Sequence, residues 1–129
     1  MRPAPGATEG FAPGMLGRRN GDFESPREVL AAIPGIDLVE MPHNRADALC
    51  CGGGGGRMWL ETAAGERFGD IRVAEARETG AEVIATACPH CISCLEDSAA
   101  ADGTLRVADV AELVAWALAP QPAAAGATL

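Results

Sequence analysis

Lysine and tyrosine are missing from this 129-residue chain, and three Phe and two Trp are its only aromatics. All ten basic side chains are arginines, against eighteen acidic ones, for a formal charge of −8. That balance excludes nucleic acid or an anionic membrane surface as a partner, because both are bound through positive charge. Long apolar runs are missing as well. No stretch approaches the ~20 apolar residues that span a bilayer, and no charged-then-apolar secretion signal stands at the N-terminus. The expected location is therefore the cytoplasm, with any membrane-bound complex reached only through a partner. In that compartment cysteines stay reduced and serve as ligands or catalysts rather than disulfides. The apolar fraction of 48% overstates the core, since 26 residues are Ala. The length still suits one domain that buries a core without help from metal or disulfide.

What the chain does have is thiols in tight pairs. Cys50-Cys51 is followed by five glycines, and Cys88-Pro-His-Cys91 comes after a gap of 36 residues from Cys51. Two pairs of this kind are suited to holding a metal centre. Cys88 stands where a strand gives way to a helix, so free N–H groups and the positive dipole end point at its thiol and favour the thiolate. Cys91, one turn on, can face the same point, and Cys94 lies three residues further along that face as a possible extra sulfur. The adjacent pair is harder to place. In an extended chain Cys50 and Cys51 point to opposite sides, so both reach one centre only if the backbone turns sharply. Gly52 to Gly56 supply that turn, along with unobstructed N–H groups that can bond to sulfur. A glycine run costs conformational entropy on folding, and ligation offsets it.

The expected elements place both pairs in loops at strand ends. Ser25-Pro26-Arg27-Glu28 reads as a helix start with a capping box, and the helix stops at Pro34-Gly35. Ile36 to Met41 reads as a strand. Met58 to Thr79 reads as a helix with an apolar stripe through Leu60, Ala64, Phe68, Ile71 and Ala74, ended by Gly80. Glu82 to Ala87 is a buried strand running into Cys88, Cys91 to Ala101 a helix and Leu105 to Val107 a strand. Ala108 to Leu118 closes the chain as a helix with Val110, Leu113, Val114 and Ala117 on one face. The alternation predicts a small α/β domain, a mostly parallel sheet flanked by helices, with sites at the strand ends. Residues 1–10 read as disordered, with loop continuing to Gly14, and 119–129 as a Pro/Ala/Gly-rich tail. The domain proper spans 11–118.

Simpler roles compete for several of these residues. A single C-x-x-C also occurs as a structural zinc half-site, and Cys94 also suits a small packing residue on its helix. His43 and His90 read as solvent-facing, and Met58 and Trp59 as packing beneath the glycine loop. The glycine run is no nucleotide loop, because Arg57-Met58-Trp59 stands where Lys-Ser/Thr is needed. Cys88-Pro-His-Cys91 between strand and helix is also the layout of thioredoxin-type thiol–disulfide oxidoreductases. That layout needs a further hairpin and helix, and it leaves Cys50 and Cys51 without a role. A zinc-stabilised interaction module remains the other alternative.

Cys50-Cys51-Gly-Gly-Gly-Gly-Gly-Arg57-Met58-Trp59 and Thr86-Ala87-Cys88-Pro89-His90-Cys91 resemble the cysteine-rich CCG domain. This is the domain of the heterodisulfide reductase B subunit and of related iron–sulfur oxidoreductase subunits. Among these are glycolate and lactate oxidation complexes and proteins passing electrons from electron-transfer flavoprotein to quinone. The segments Leu16 to Gly21 and Pro26 to Gly35 extend the resemblance, which runs from about Phe11 to Asp97. It implies a small α/β domain, usually present twice in a longer chain, whose cysteines bind an unusual [4Fe–4S] cluster for electron transfer or disulfide reduction. It further implies partner subunits, such as a flavoprotein or ferredoxin-like module, that supply the electron donor or the substrate site.

One position departs from the pattern. The family carries an upstream cysteine in a segment like His-Asp-Pro-Cys-Tyr-Leu-Gly-Arg, whereas here Phe11 to Arg18 places Gly14 at that point. Four of the five thiols implied by the resemblance remain: Cys50, Cys51, Cys88 and Cys91. Four thiolates suffice for an ordinary [4Fe–4S] cluster or a zinc ion, and Cys94 is available as a stand-in. The expectation is a partial CCG-type domain, either a remnant or a piece completed by another subunit.

Overall fold

The computed structural model of the protein describes residues 7–9, 14–54, 56–101 and 103–120. Four parallel strands form one sheet in the order β2-β1-β3-β4. They are β1 (Ala7–Glu9), β2 (Leu38–Glu40), β3 (Val83–Thr86) and β4 (Arg106–Asp109). Helices α1 (Gly14–Asn20) and α2 (Ser25–Ala31) join β1 to β2. Helix α3 (Phe68–Glu78) lies between β2 and β3, α4 (Pro89–Ala99) between β3 and β4, and α5 (Val110–Leu118) ends the fold. From β1 the chain goes to one side for β2, then crosses to the other for β3 and β4. The order reverses between β1 and β3, and the carboxyl ends of those strands are where such sheets open a crevice.

The first strand corrects the expectation of disorder at the N-terminus. Ala7–Glu9 pairs with Leu38–Glu40 on one side and with Val83–Ala85 on the other. Three residues among prolines and glycines carry no alternation of their own. Their strand state comes from two neighbours that satisfy the backbone on both edges. The remainder of that expectation, and the tail beyond Pro120, lie outside the described residues.

Strand β3 divides the core into two halves. Ile84 points into one cluster with Met41, Val73, Leu95 and the buried Cys51 and Cys91. Val83 and Ala85 point into the other, with Leu30, Ile33, Leu113 and Ala117. This is the period-two alternation of a strand covered on both faces. Helix α5 buries Leu113 and Ala117 as its apolar stripe predicts.

The long helix expected over 58–79 is shorter and faces another way. A 3-10 turn at Arg57–Trp59 is followed by loop, and α3 begins only at Phe68. Its buried face is Gly69, Arg72, Val73, Glu75 and Ala76, while Ile71 is exposed and Leu60 more so. Two contacts set this face. A methyl group on Gly69 would lie 2.6 Å from the Ser98 hydroxyl, so only glycine lets α3 approach α4 this closely. Arg72, 1% exposed, donates to Glu75 at 2.8 Å and to the His43 carbonyl. The capping box also falls elsewhere. Ser25 heads α2 without one and bonds back to Asp22. A full box stands at α5, where Asp109 accepts from Ala111 N–H at 2.7 Å and Glu112 accepts from Asp109 N–H at 2.9 Å.

Candidate metal centre

Two chain segments bring thiols to the carboxyl end of the sheet. The first leaves β2 at Met41 and is held against α3 before it reaches Cys50. His43 Nδ1 meets the Glu75 carboxylate, and Arg72 binds both Glu75 and the His43 carbonyl. Asn44 donates back to the Met41 carbonyl at 2.9 Å. On the other side of β2, Arg27 grips Glu40 through two bonds of 2.7 and 3.1 Å. The second segment is the direct run from β3 into α4. Cys88 is the residue that begins this helix, with Pro89 in its first turn.

These segments meet sulfur to sulfur. Cys51 and Cys91 are buried at 6% and 4% exposure, while Cys50, Cys88 and Cys94 are half-buried around them. The Cys91 thiol donates to the Cys51 sulfur. With help from Gly53 N–H and the Cys50 and Cys94 thiols, this pulls the Cys51 pKa down to about 5. Cys91, the donor, is pushed up by that same bond and by burial. Burial likewise raises Cys94, and the charge of Cys51 beside it adds to the effect. Strongly shifted thiols gathered in one place mark a candidate functional site.

The glycine loop has two distinct jobs. Gly52 lies at φ +85°, a left-handed conformation that turns the chain just after the cysteine pair. Its N–H reaches the Cys50 sulfur at 3.4 Å, and Gly53 N–H reaches the Cys51 sulfur at 3.5 Å. Gly53 is required for closeness rather than for its backbone angle. A methyl group there would lie 2.5 Å from the Cys94 sulfur and 3.7 Å from that of Cys51. The loop rests on Phe68, whose ring also carries the Arg57 guanidinium at 4.2 Å.

All four thiols of the two motifs are thus brought together, and Cys94 joins them. His43 is turned to Glu75 and His90 is exposed on α4. Trp59 corrects the reading of a packing residue, since it is 83% exposed; the Met58 side chain lies outside the described residues. Among the described residues, no set of three His, Cys, Asp or Glu side chains is arranged to hold a single metal ion. The all-sulfur donor set, with loop N–H groups aimed at two of its sulfurs, has the chemistry that iron–sulfur clusters take. What sequence reasoning missed is the support: Arg72, Glu75 and Arg27 are charged residues on short helices, and only their burial distinguishes them.

Comparison with known proteins agrees with this chemistry. The cysteine-rich domain CCG matches residues 11–96. A probable iron–sulfur-binding oxidoreductase, FadF, of Bacillus subtilis is 42% identical over 103 residues, covering 78% of this chain and 15% of the relative. One subunit of the dihydromethanophenazine:CoB–CoM heterodisulfide reductase of Methanosarcina barkeri is 41% identical over 107 residues, 82% of this chain and 26% of the relative. The EtfAB:quinone oxidoreductase of Syntrophomonas wolfei is 38% identical over 110 residues, 78% of this chain and 15% of the relative. The chain therefore spans about a quarter or less of these curated relatives. No solved structure gives a significant match. No helix among the described residues is long and apolar enough to cross a membrane. With both cysteine motifs inside the matched segment, the chain belongs to the CCG cysteine-rich domain family.

Proposed function

We propose that this domain holds a [4Fe–4S] cluster on Cys50, Cys51, Cys88 and Cys91 and works as an electron-transfer module of a larger oxidoreductase. The observation that carries the reading is the meeting of two cysteine pairs, remote in sequence, at the carboxyl end of the sheet. Cys50 and Cys51 approach from the glycine loop, Cys88 and Cys91 from the start of α4. Gly52 and Gly53 N–H groups donate to two of the sulfurs, offsetting thiolate charge and tuning potential. Burial of Cys51 and Cys91 keeps water from the inner side of the site. A bound cluster supplies one-electron oxidation and reduction there.

The relatives are named as oxidoreductases and oxidoreductase subunits, which supports partners of the same kind for this chain, a flavoprotein or a ferredoxin-like module as donor. The thioredoxin-type alternative loses its footing, because β4 runs parallel to β3 and forms no hairpin with it. Nothing in the fold or among the relatives favours the zinc module. The test is metal and sulfide content after anaerobic purification and reconstitution, with visible and EPR spectra. About four irons and four sulfides per chain is the expected result. Stoichiometric zinc without iron, or no metal at all, overturns the proposal.

A further inference from the structure

The site holds one more thiol than the two motifs contain. Cys94 follows Cys91 by three residues on α4, and Cys91 follows the N-cap residue Cys88 by three, so each neighbours the next. A cysteine serving only as a packing residue would bury its sulfur among hydrocarbon. This sulfur instead stands over Gly53, where even a methyl group would come within 2.5 Å of it. It remains half-buried and, with Cys51 and Gly52, lines a cleft of about 280 Å³ that opens beside Phe68. Gly53 therefore serves two sulfurs: its N–H meets Cys51 and its missing side chain makes room for Cys94.

The position that resembles the family's upstream cysteine is Gly14, which has no side chain to offer. It starts α1, which follows β1, the strand beside β3. We propose that Cys94 is itself a ligand of the cluster, a fifth thiolate supplied from α4 in place of the one absent at Gly14. Ligation replaces the Cys94 S–H bond by an S–Fe bond and releases the proton to solvent. The inference rests on the cluster proposed above for the other four cysteines.

The test uses the full chain, reconstituted anaerobically, in two arms. In the first, unmutated protein with and without its iron is treated with iodoacetamide, and alkylation is located by mass spectrometry. Cys94 should be protected in the iron-loaded protein and modified once iron is stripped. Modification of Cys94 at equal rates in both forms, with iron retained, overturns the Cys94 assignment and leaves the four-cysteine reading standing. In the second arm, Cys94→Ala is compared with Ser93→Ala, an exposed neighbour. Even an outer partner of a metal is worth 10–100-fold, so Cys94→Ala should lose iron to a chelator about tenfold faster or more, with altered EPR g-values. Unchanged iron retention and spectrum in a folded Cys94→Ala overturns the proposal. If the unmutated chain takes up no iron at all, the four-cysteine reading falls as well.

Discussion

The two faces of the sheet are built from the same chain and do opposite things. On the face of α2 and α5, β3 contributes Val83 and Ala85 to a cluster with Leu30, Ile33, Leu113 and Ala117 that is hydrocarbon throughout. On the face of α3 and α4, Ile84 joins Met41, Val73 and Leu95, but two of its buried members are Cys51 and Cys91. Charged side chains are buried at both edges of this arrangement, Arg27 against Glu40 and Arg72 against Glu75. The first face needs no ligand: packing holds it, with the Arg27–Glu40 pair and the α5 capping box beside it. The second leaves part of its stability to whatever the thiols bind, since a bound metal centre stabilises the folded state by mass action.

Substitutions can break this comparison in order of size. The largest effect belongs to the site face. Cys51→Ser or Cys91→Ser should abolish iron retention, measured as iron per chain after gel filtration, while the apoprotein keeps its far-ultraviolet circular dichroism. Retention equal to the unmutated chain in both variants would remove them from the ligand set. Next comes the hydrocarbon face, where Leu30 is fully buried. Leu30→Ala should destabilise loaded and stripped protein alike by about 2–5 kcal/mol in denaturant titrations. Iron per folded chain should be unchanged, and a variant that lost iron at full stability would show the faces to be coupled.

Gly53→Ala is the third test, and it sharpens the line between the faces. The added methyl must displace the Cys94 sulfur or the loop, which as overpacking costs about 1–3 kcal/mol. The expected signature is a changed EPR spectrum of the loaded protein together with this loss. A neutral substitution would mean the loop yields freely. Asp109→Ala should cost about 1 kcal/mol by removing the capping box of α5, with no change in iron content or spectrum. The smallest effect is expected for Arg45→Ala. It breaks an exposed pair with Glu24 at 2.6 Å and should shift stability by less than about 1 kcal/mol.

Particular elements show how far the residues could be read in advance. The strand at β3 and helix α4 were legible because an apolar run met Cys88-Pro89, a strand end followed at once by a helix start. Helix α5 is legible from its stripe, and its Asp109 box from the Glu three residues on, the same pattern as Ser25 and Glu28. Strand β1 was not legible, because three residues flanked by Pro and Gly carry no period. The face of α3 was misjudged for a different reason. Its buried side contains Arg72 and Glu75, which count as polar in any pattern and are core here because they pair with each other and with the His43 loop. Trp59, large and apolar, reads as packing beneath the glycine loop and lies in solvent.

The sequence by itself determined the chemistry of this protein: thiols, their pairing, the glycines beside them and the alternation that makes a parallel sheet. These follow from residue type and short-range spacing, which act within a turn or a strand. The tertiary structure alone decided how closely the Cys94 sulfur approaches the glycine loop and that Gly53 must be small. It also decided that a buried Arg72–Glu75 pair positions the loop carrying Cys50. Each of those is a contact between segments far apart in the chain, and no local pattern records which distant atoms will meet.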